Sequence, residues 1–463
     1  MNKTYLAVDF GAGSGRVIAG YIENKRLVMH ELHRFPNRQI KLGKHIYWDF
    51  LSLYEEMKTG IRKAVKEGYT VKSIGIDTWG VDFGLIDKAG NLLSNPLCYR
   101  DSFTDGTVEE VFSKISREEH YKESGIQVMS INTLFQLYAM KKENPDMLES
   151  AAHLLFMPDL FSYFLTGKSN NEYSIASTSE LLDAATRKWN MKLIEQLGLP
   201  RHLFAEQVIM PGTTRGKITP SIAEETGLSP DTEVIAVGSH DTASALFAVP
   251  FPAGRASRCA FLSSGTWSLL GVELDAPILT EEARQAGFTN EGSVGGKIKF
   301  LQNITGLWIL QRLMQQWESR GEKSDYETLL AAAEKSTVKS IIDVDDNRFD
   351  NPADMESAIA GYCRETGQSV PRAQGDYAIC VLSSLAVRYK KAIEQLNKLL
   401  PAPVEQLHII GGGSRNRLLN RLTEEATGLP VVAGPVEATA TGNILLQAIA
   451  SGEINDKSEI DIL

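Results

Sequence analysis

The sequence predicts an α/β protein made of two domains, and three observations support this fold class. Its 463 residues are enough for two or three domains of roughly 100–200 residues each. Each half of the chain contains a predicted strand, a turn of small residues and a second strand. Near the C-terminus, a predicted strand leads through three glycines into a helix. The halves therefore repeat one topology without visible sequence identity, which is the pattern of a duplicated α/β domain.

Composition excludes several classes of function. Lys and Arg total 48 and Asp and Glu total 58, a net charge of −10. This balance, without any block of basic residues, argues against nucleic-acid binding. No apolar stretch approaches the ~20 residues that span a bilayer, and no signal peptide is recognised. Four cysteines without a CxxC motif are typical of a cytoplasmic protein; bonding between Cys363 and Cys380 stays open, and no oligomeric state is predicted.

The N-terminal region predicts three strands followed by a helix. Apolar and alternating runs place the strands at Tyr5–Phe10, Arg16–Tyr21 and Arg26–Phe35. Because the turns between them are short, the strands should be antiparallel neighbours. Apolar residues recur every three to four positions over Phe50–Glu67, which predicts a helix capped by Asp49 or Ser52.

The next elements alternate between strands and helices. Lys72–Asp77 is a buried strand that ends in an acid, and Val81–Asp87 with Leu92–Tyr99 is expected to form a hairpin. The region from about Arg117 to Gly198 is predicted to be mostly helical. Glu233–Gly238 is a further strand, which leads into a helix near residue 243.

The strongest boundary signal is Pro250-Phe251-Pro252-Ala253-Gly254, since two prolines and a glycine are typical of a linker or hinge. It divides the chain into domains 1–249 and 250–463. The second domain is expected to contain the following elements, given in chain order: strands Cys259–Leu262, Trp267–Val272 and Gln406–Ile410, and helix Arg417–Ala426.

The first candidate phosphate site is the glycine-rich stretch that begins at Asp9. It differs from the dinucleotide-binding fingerprint because Arg16 replaces the last glycine and a strand follows instead of a helix. A hairpin turn of small residues can direct backbone N–H groups at a phosphate. Arg16 would add positive charge, and Asp9 would face a metal-bound polyphosphate. The alternative is a glycine-rich hairpin closed by a hydrogen-bonded aspartate.

Two further stretches are open to the same two interpretations, a phosphate site or a structural turn. Ser263-Ser264-Gly265-Thr266 is a second small-residue hairpin turn, and Gly411-Gly412-Gly413 joins a strand to a helix. Turns and glycine-rich connections of these kinds also occur in proteins where they bind no ligand. A hairpin turn in each half together with a strand, three glycines and a helix describes the two-domain nucleotide clamp of the actin-like ATPases. The predicted fold is therefore two actin-like ATPase (ribonuclease H-like) domains with a nucleotide cleft between them.

At this level of detail the chain resembles the FGGY family of carbohydrate kinases, from about Leu6 to Gln447. The matching stretches are Ala7–Arg16, Gly75–Phe83, Ser239–Ser244, Leu262–Ser268, Gly306–Trp308, Ile410–Gly413 and Ala433–Thr439. The resemblance implies ATP as phosphoryl donor, Mg²⁺ as cofactor and a small sugar as acceptor.

The stretch Thr78-Trp79-Gly80-Val81-Asp82 is similar to the branch of the family that phosphorylates L-rhamnulose to L-rhamnulose 1-phosphate in L-rhamnose catabolism. The alternatives on the same fold are L-fuculose, xylulose or glycerol as acceptor. A non-sugar actin-like ATPase is a further alternative, although no added peptide-binding or polymer-contact segment is recognised.

The resemblance also implies roles for individual residues. Asp241 is expected to be the general base and Asp9 to orient Mg²⁺, with Asp77 as a weaker metal candidate. The nucleotide would contact Ala12, Gly13, Ser14, Gly15, Arg16, Thr266, Gln311 and Gly412. The sugar would contact Gly80, His240, Asp241, Thr242 and Asn303.

Position alone leaves simpler interpretations open for several of these residues. Asp241 also fits the cap of a helix that begins near Ala243. His240 alone would more often be a structural histidine. Asn303 could cap a helix beginning near Thr305, and Gln311 could be an ordinary polar helix position.

Overall fold

A computed structural model describes residues 3–204, 207–252, 254–323 and 325–461, which divide into two units. The first comprises Met1–Pro250, Leu274–Phe300 and Ala438–Leu463, and the second comprises Phe251–Glu273 and Leu301–Glu437. The chain first passes between units after Pro250, within the segment expected to be a hinge; Ala253 of that segment lies outside the described residues. The simple division at residue 250 stays a prediction.

The first 250 residues supply most elements of the first unit. Its strands are β1 Lys3–Phe10, β2 Ser14–Glu23, β3 Arg26–Pro36, β4 Gln39–Leu42, β5 His45–Trp48, β6 Thr70–Thr78, β7 Phe83–Asp87, β8 Ala151–Phe156, β9 Asn171–Glu172, β10 Leu182–Asp183, β11 Lys188–Trp189, β12 Val208–Ile209, β13 Thr214–Lys217 and β14 Glu233–Ile235. Its helices are α1 Phe50–Lys66, α2 Thr107–Phe112, α3 Arg117–Ser124, α4 Thr133–Glu143, α5 Pro145–Ser150, α6 Met157–Thr166, α7 Tyr173–Ala176, α8 Met191–Gln196, α9 Pro220–Thr226 and α10 Asp241–Phe247.

The remaining elements follow residue 250. The strands are β15 Cys259–Ser264, β16 Trp267–Leu274, β17 Thr289–Gly292, β18 Ile298–Thr305, β19 Gln406–Ile410 and β20 Val431–Ala433. The helices are α11 Glu281–Gln285, α12 Trp308–Ser319, α13 Tyr326–Lys335, α14 Met355–Glu365, α15 Gln374–Leu399, α16 Arg417–Thr427 and α17 Ala438–Ala450. By the residue ranges of the units, α17 belongs to the first unit.

The two units repeat one strand arrangement. In the first, the sheet order is β13-β14-β6-β1-β2-β3, with β1 antiparallel to β2 and parallel to β6. In the second, the strands run in the order β16-β15-β19-β20, with β15 antiparallel to β16 and parallel to β19. The predicted topological repeat is therefore confirmed, and so is the two-domain α/β class.

Helix α1 shows why the first sheet is buried on both faces. Its apolar stripe, which includes Met57 and Ile61, packs in one cluster with Val8 of β1. The neighbouring residue Ala7 points to the opposite face and packs with Ile444 of α17, because successive strand residues alternate between faces. Full burial of such side chains contributes about 1.5–3 kcal/mol each. The predicted N-cap is also confirmed, since the Asp49 carboxylate accepts a hydrogen bond from the backbone N–H of Ser52, the third residue of the helix.

One local expectation is only partly right and another is wrong. The segment predicted as the hairpin partner of β7 is joined to it by the antiparallel bridge Ile86 to Leu92 and by the hydrogen bond from the Leu93 N–H to the Leu85 carbonyl. Along its whole length, however, β7 pairs antiparallel with the distant strand β8. Asn303 does not cap a helix, because it lies within β18 and the following helix begins at Trp308.

All four cysteines are buried free thiols, so Cys363 and Cys380 are not bonded. None of the helices in the described ranges combines the length and apolar character needed to cross a bilayer.

Candidate active site

Three aspartates meet at one edge of the first sheet. Asp9 and Asp77 end the parallel neighbours β1 and β6 and lie opposite each other in the strand register. The next residue, Thr78, forms a parallel bridge with His240, which brings Asp241 at the start of α10 to the same edge. Ligands bind at the carboxyl ends of strands in open α/β sheets. The fold therefore brings together three acids that are distant in sequence.

Asp9 and Asp77 form a buried acidic pair with one cation beside it. The Arg16 Nη2 atom lies 2.5 Å from the Asp9 carboxylate. Burial raises the pKa of Asp9 above its usual value, although Arg16 opposes this change. Burial, followed by the charge of Asp9, raises the pKa of Asp77 well above its usual value. Asn443 donates a 2.5 Å hydrogen bond to the Asp77 carboxyl group.

This acid pair sets limits on any metal site. No group of three or more His, Cys, Asp or Glu side chains suited to a metal occurs among the residues that the structure describes. Asp9 can supply one carboxylate, directly or through water, to a cation that is held mainly by nucleotide phosphates. Mg²⁺ suits such a site, because it keeps several water ligands and needs only one or two protein carboxylates.

Asp241 is accessible and held in one orientation. Its Oδ1 atom accepts hydrogen bonds from the backbone N–H of Thr242 at 2.5 Å and from the Thr242 hydroxyl at 2.9 Å. The side chain is 34% exposed, in contrast to Asp9 and Asp77. The N-cap of α10 is His240 and not Asp241, so the helix-cap interpretation is wrong. An oriented and accessible carboxylate at this edge is suited to accept a proton from a bound hydroxyl.

The loop between β6 and β7 lies beside His240, the residue that precedes Asp241. A side chain at Gly80 would place its Cβ 3.4 Å from His240 Nε2 and 3.4 Å from Thr178. Val81 has φ +69°, a left-handed conformation that a β-branched residue rarely adopts. Thr178 accepts the Val81 N–H at 3.1 Å, and Thr133 donates to the Val81 carbonyl at 2.6 Å. These contacts hold a strained backbone next to the position predicted to contact the sugar.

Asp82 anchors the other end of this loop. Its fully buried carboxylate accepts hydrogen bonds from the indoles of Trp48 at 2.6 Å and Trp79 at 2.9 Å. Gln136 and the Tyr99 backbone N–H also donate to it. Burial nevertheless raises the pKa of Asp82 to about 6, because these donors only partly replace the lost hydration.

The raised pKa of Asp82 predicts a pH-dependent stability. The unfolded carboxyl has a pKa near 3.8, so between that value and about 6 the folded state binds more protons than the unfolded state. Stability therefore falls as pH rises through this window, by ~3 kcal/mol for a shift of about two units. We expect the free energy of unfolding of the wild type, relative to Asp82→Asn, to fall by about this amount between pH 4 and pH 7. Urea unfolding of both proteins at each pH measures it, and a constant difference would contradict the assignment.

The predicted phosphate turn lies between β1 and β2. The Gly11 N–H donates to the Ser14 carbonyl at 2.9 Å, and Asn37 hydrogen bonds to both Gly11 and Gly13 from outside the turn. A Cβ at Gly13 would meet nothing within 4 Å, whereas a Cβ at Gly15 would lie 2.3 Å from the Phe35 ring. The exposed tip is therefore open to a ligand, and Gly15 is required for packing. Phosphate contacts by Ala12 to Arg16 stay a prediction.

A second group of predicted nucleotide residues lies in the second unit. The Thr266 hydroxyl, in the turn between β15 and β16, donates to Gln311 on α12 at 3.0 Å. Gly413 and Ser264 touch so closely that a Cβ at Gly413 would lie 2.1 Å from the Ser264 Oγ. Around Gly412, by contrast, a Cβ would meet nothing within 4 Å. The hairpin turn and the three glycines therefore form one small-residue surface.

The structure groups most of the predicted residues by unit. The first unit holds Asp9, Ala12, Gly13, Ser14, Gly15, Arg16, Gly80, His240, Asp241 and Thr242. The second holds Thr266, Asn303, Gln311 and Gly412. Two buried charged residues beside His240, Lys299 and Glu291, were not predicted. Their only signal in the sequence is a lysine within the apolar run of β18.

An oriented carboxylate, a hairpin turn of small residues and an open glycine loop are together typical of an ATP-dependent phosphotransferase of α/β fold. The chain belongs to the FGGY family of carbohydrate kinases. The model of the family's N-terminal domain matches residues 4–248, and that of its C-terminal domain matches residues 260–451. Members of this family use ATP as phosphoryl donor, generally with a divalent metal. The resemblance inferred from the sequence motifs is therefore confirmed.

Individual relatives cover nearly the whole chain. A rhamnulokinase from Bacteroides thetaiotaomicron is 48% identical over 98% of this chain and 92% of its own length. A rhamnulokinase from Oceanobacillus iheyensis is 44% identical over 99% of this chain and 96% of its own length. Among solved structures, gluconate kinase from Lactobacillus acidophilus has a TM-score of 0.82 at 15% identity, covering 99% of this chain and 91% of its own. Xylulose kinase from Rhodospirillum rubrum has a TM-score of 0.80 at 16% identity, covering 100% and 92%. At such identities these structures support the fold alone.

Proposed function

We propose that this protein transfers the γ-phosphoryl group of ATP to L-rhamnulose and so produces L-rhamnulose 1-phosphate and ADP in L-rhamnose catabolism. The observation that carries the choice of sugar is the 44–48% identity to rhamnulokinases over almost the full length. The stretch from Thr78 to Asp82 supports the same choice, because its residues are similar to the branch of the family that acts on this sugar.

In this proposal Asp241 is the general base. Its carboxylate accepts the proton of the sugar C1 hydroxyl as the oxygen forms a bond to the γ-phosphorus. The bond between that phosphorus and the β–γ bridging oxygen breaks, and the electron pair leaves with ADP. Thr242 holds Oδ1 through two hydrogen bonds, so the second carboxylate oxygen is the one available to the substrate.

The remaining predicted residues bind and orient the two substrates. The backbone of Ala12 to Gly15 would contact phosphate oxygens, and Thr266, Gln311 and Gly412 would contact the rest of the nucleotide. Asp9 would hold Mg²⁺, which when bound neutralises the negative charge of the phosphates. Gly80, His240, Thr242 and Asn303 would contact the sugar. In phosphoryl transfer, positioning and charge neutralisation of this kind supply most of the catalysis.

A coupled ADP-release assay tests the proposed substrate. L-rhamnulose, L-fuculose, D-xylulose and glycerol are compared at equal ATP and Mg²⁺. We expect L-rhamnulose to have the highest kcat/KM by at least about tenfold, because a site that hydrogen bonds each hydroxyl discriminates strongly against a wrong arrangement. ³¹P NMR of the product should show a phosphate monoester coupled to C1.

Each other outcome of this assay has a definite meaning. A higher kcat/KM for L-fuculose, D-xylulose or glycerol would overturn the choice of sugar while keeping the kinase reaction. ADP release that is independent of every sugar would instead favour the actin-like ATPase alternative. Omission of Mg²⁺, with EDTA present, should abolish turnover, and turnover that persisted would contradict the proposed role of Asp9.

A further inference from the structure

A buried lysine contacts the histidine that precedes the general base. The Lys299 side chain, on β18, has no exposed surface, and its Nζ atom lies 2.9 Å from His240 Nδ1. The same Nζ lies 3.1 Å from the Glu291 carboxylate on β17. A lysine is almost never fully buried unless it is paired. Removing both charges of this pair from water costs free energy, and a functional role for the pair would account for that cost.

The contact with Lys299 indicates which nitrogen of His240 accepts a hydrogen bond. A lysine ammonium has three donors and no acceptor, so Nδ1, 2.9 Å from it, is placed to accept. The Glu291 carboxylate lies farther from the same nitrogen, at 3.3 Å. Burial alone would raise the pKa of Glu291, but the charge of Lys299, followed by a hydrogen bond with His240 and the charge of that ring, lowers it to about 2. An ionised Glu291 pairs with the Lys299 amine and cannot donate to the imidazole. The ring proton of a neutral His240 then lies on Nε2.

The Nε2 side of His240 faces the site. This atom is 3.5 Å from Asp241 Oδ1, and a Cβ at Gly80 would approach it to 3.4 Å. The charged groups that surround the imidazole are Asp241 from α10, Glu291 from β17 and Lys299 from β18. A neutral ring with its N–H on this side offers a hydrogen-bond donor next to the base. It does so without a second positive charge that would stabilise the carboxylate and weaken its affinity for a proton.

We propose that Lys299 and Glu291 are positioning residues that hold His240 as the neutral Nε2–H tautomer, so that His240 donates a hydrogen bond to an oxygen of the bound sugar beside Asp241. This inference rests on the proposed function for the identity of the acceptor sugar. Its structural part, the tautomer, concerns the free protein and can be tested without any substrate.

The first experiment determines the tautomer. The full chain labelled with ¹⁵N-histidine is examined by long-range ¹H–¹⁵N NMR at pH 7.5, and His240 is assigned among the eight histidines by comparison with His240→Gln. We expect Nδ1 of His240 to be the unprotonated nitrogen and Nε2 the protonated one. A protonated Nδ1, in either a neutral ring or an imidazolium, would overturn the proposal, whichever sugar proves to be the substrate.

The second experiment tests the function of the pair. Lys299→Met leaves Glu291 buried without a partner, and this variant is at risk of misfolding. The double variant Lys299→Met with Glu291→Met removes both charges and keeps the volume similar. In it Nδ1 loses its donor, so we expect a mixed tautomer signal and a fall of roughly tenfold in kcat/KM for the sugar. The KM for ATP should be unchanged.

The two readouts separate positioning from general packing. A folded double variant with an unchanged His240 tautomer would overturn the role of the pair, and so would full sugar kinetics despite a changed tautomer. A parallel loss of ATP affinity would indicate general distortion and would equally count against the proposal. The kinetic measurement uses whichever sugar the substrate panel identifies, so that failure of the L-rhamnulose assignment does not affect it.

Discussion

Replacement of Asp241 by Asn is expected to lower kcat for sugar phosphorylation by about 10²–10⁴-fold, the usual contribution of a general base. Asparagine has nearly the same shape, and its Oδ1 can still accept the two hydrogen bonds from Thr242. Its amide group, however, cannot take up the hydroxyl proton. The chemical step should therefore be lost while the binding of ATP is retained.

The measurement combines the coupled assay with ATP binding by calorimetry and a thermal melt of each protein. Asp231→Asn is a suitable matched control, because Asp231 is 80% exposed and forms only a surface ion pair with Lys217. We expect the control to have wild-type turnover. A folded Asp241→Asn protein with more than a tenth of wild-type turnover would eliminate Asp241 as the base.

The second large effect is expected from Gly442→Ala, which should destabilise the protein by about 3 kcal/mol. Gly442 lies on α17, and a Cβ there would be 1.8 Å from the backbone carbonyl oxygen of Ser244 on α10. Neither backbone can move without separating the two helices, so the overpacking cost falls at the upper end of its usual range. Because α10 begins with Asp241 and Asn443 contacts Asp77, turnover should fall as well.

Gly361→Ala is the control for this substitution. Gly361 also lies within a helix, α14, but a Cβ there would meet nothing within 4 Å. Alanine is the better helix former by up to about 1 kcal/mol, so this variant should be as stable as the wild type or slightly more so. Urea unfolding of the three proteins measures the difference, and equal stabilities for both variants would show that α17 and α10 can separate without cost.

Much of the local structure could be predicted from the sequence. The first three strands, helix α1 with its Asp49 cap, and strand β19 before the three glycines were placed to within a few residues. These elements depend on alternation, helical periodicity and turn residues, which act over short distances along the chain. The family motifs are local too, so the kinase class could be recognised from short stretches.

The predictions were least accurate where the structure depends on contacts between segments that are distant in sequence. Strand β7 pairs along its whole length with β8, whereas the adjacent segment makes only a short contact with it, and the intervening helices give no local sign of the long-range pairing. The site shows the same limit, because Lys299 and Glu291 meet His240 from about 50 residues further along the chain. A lysine in an apolar strand is an ambiguous signal until its partner is known.

For this protein, the sequence alone determined the strand and helix positions, the repeated topology and the residues available for chemistry, because backbone propensity and turn geometry are set by near neighbours. Only the tertiary structure decided which of those residues function together. The parallel register of β1 and β6 places Asp9 against Asp77, and the resulting burial raises the pKa of both acids. The packing of β17 and β18 places Glu291 and Lys299 against His240. Charge burial and hydrogen-bond partners depend on contacts between distant segments, and these contacts exist only in the folded chain.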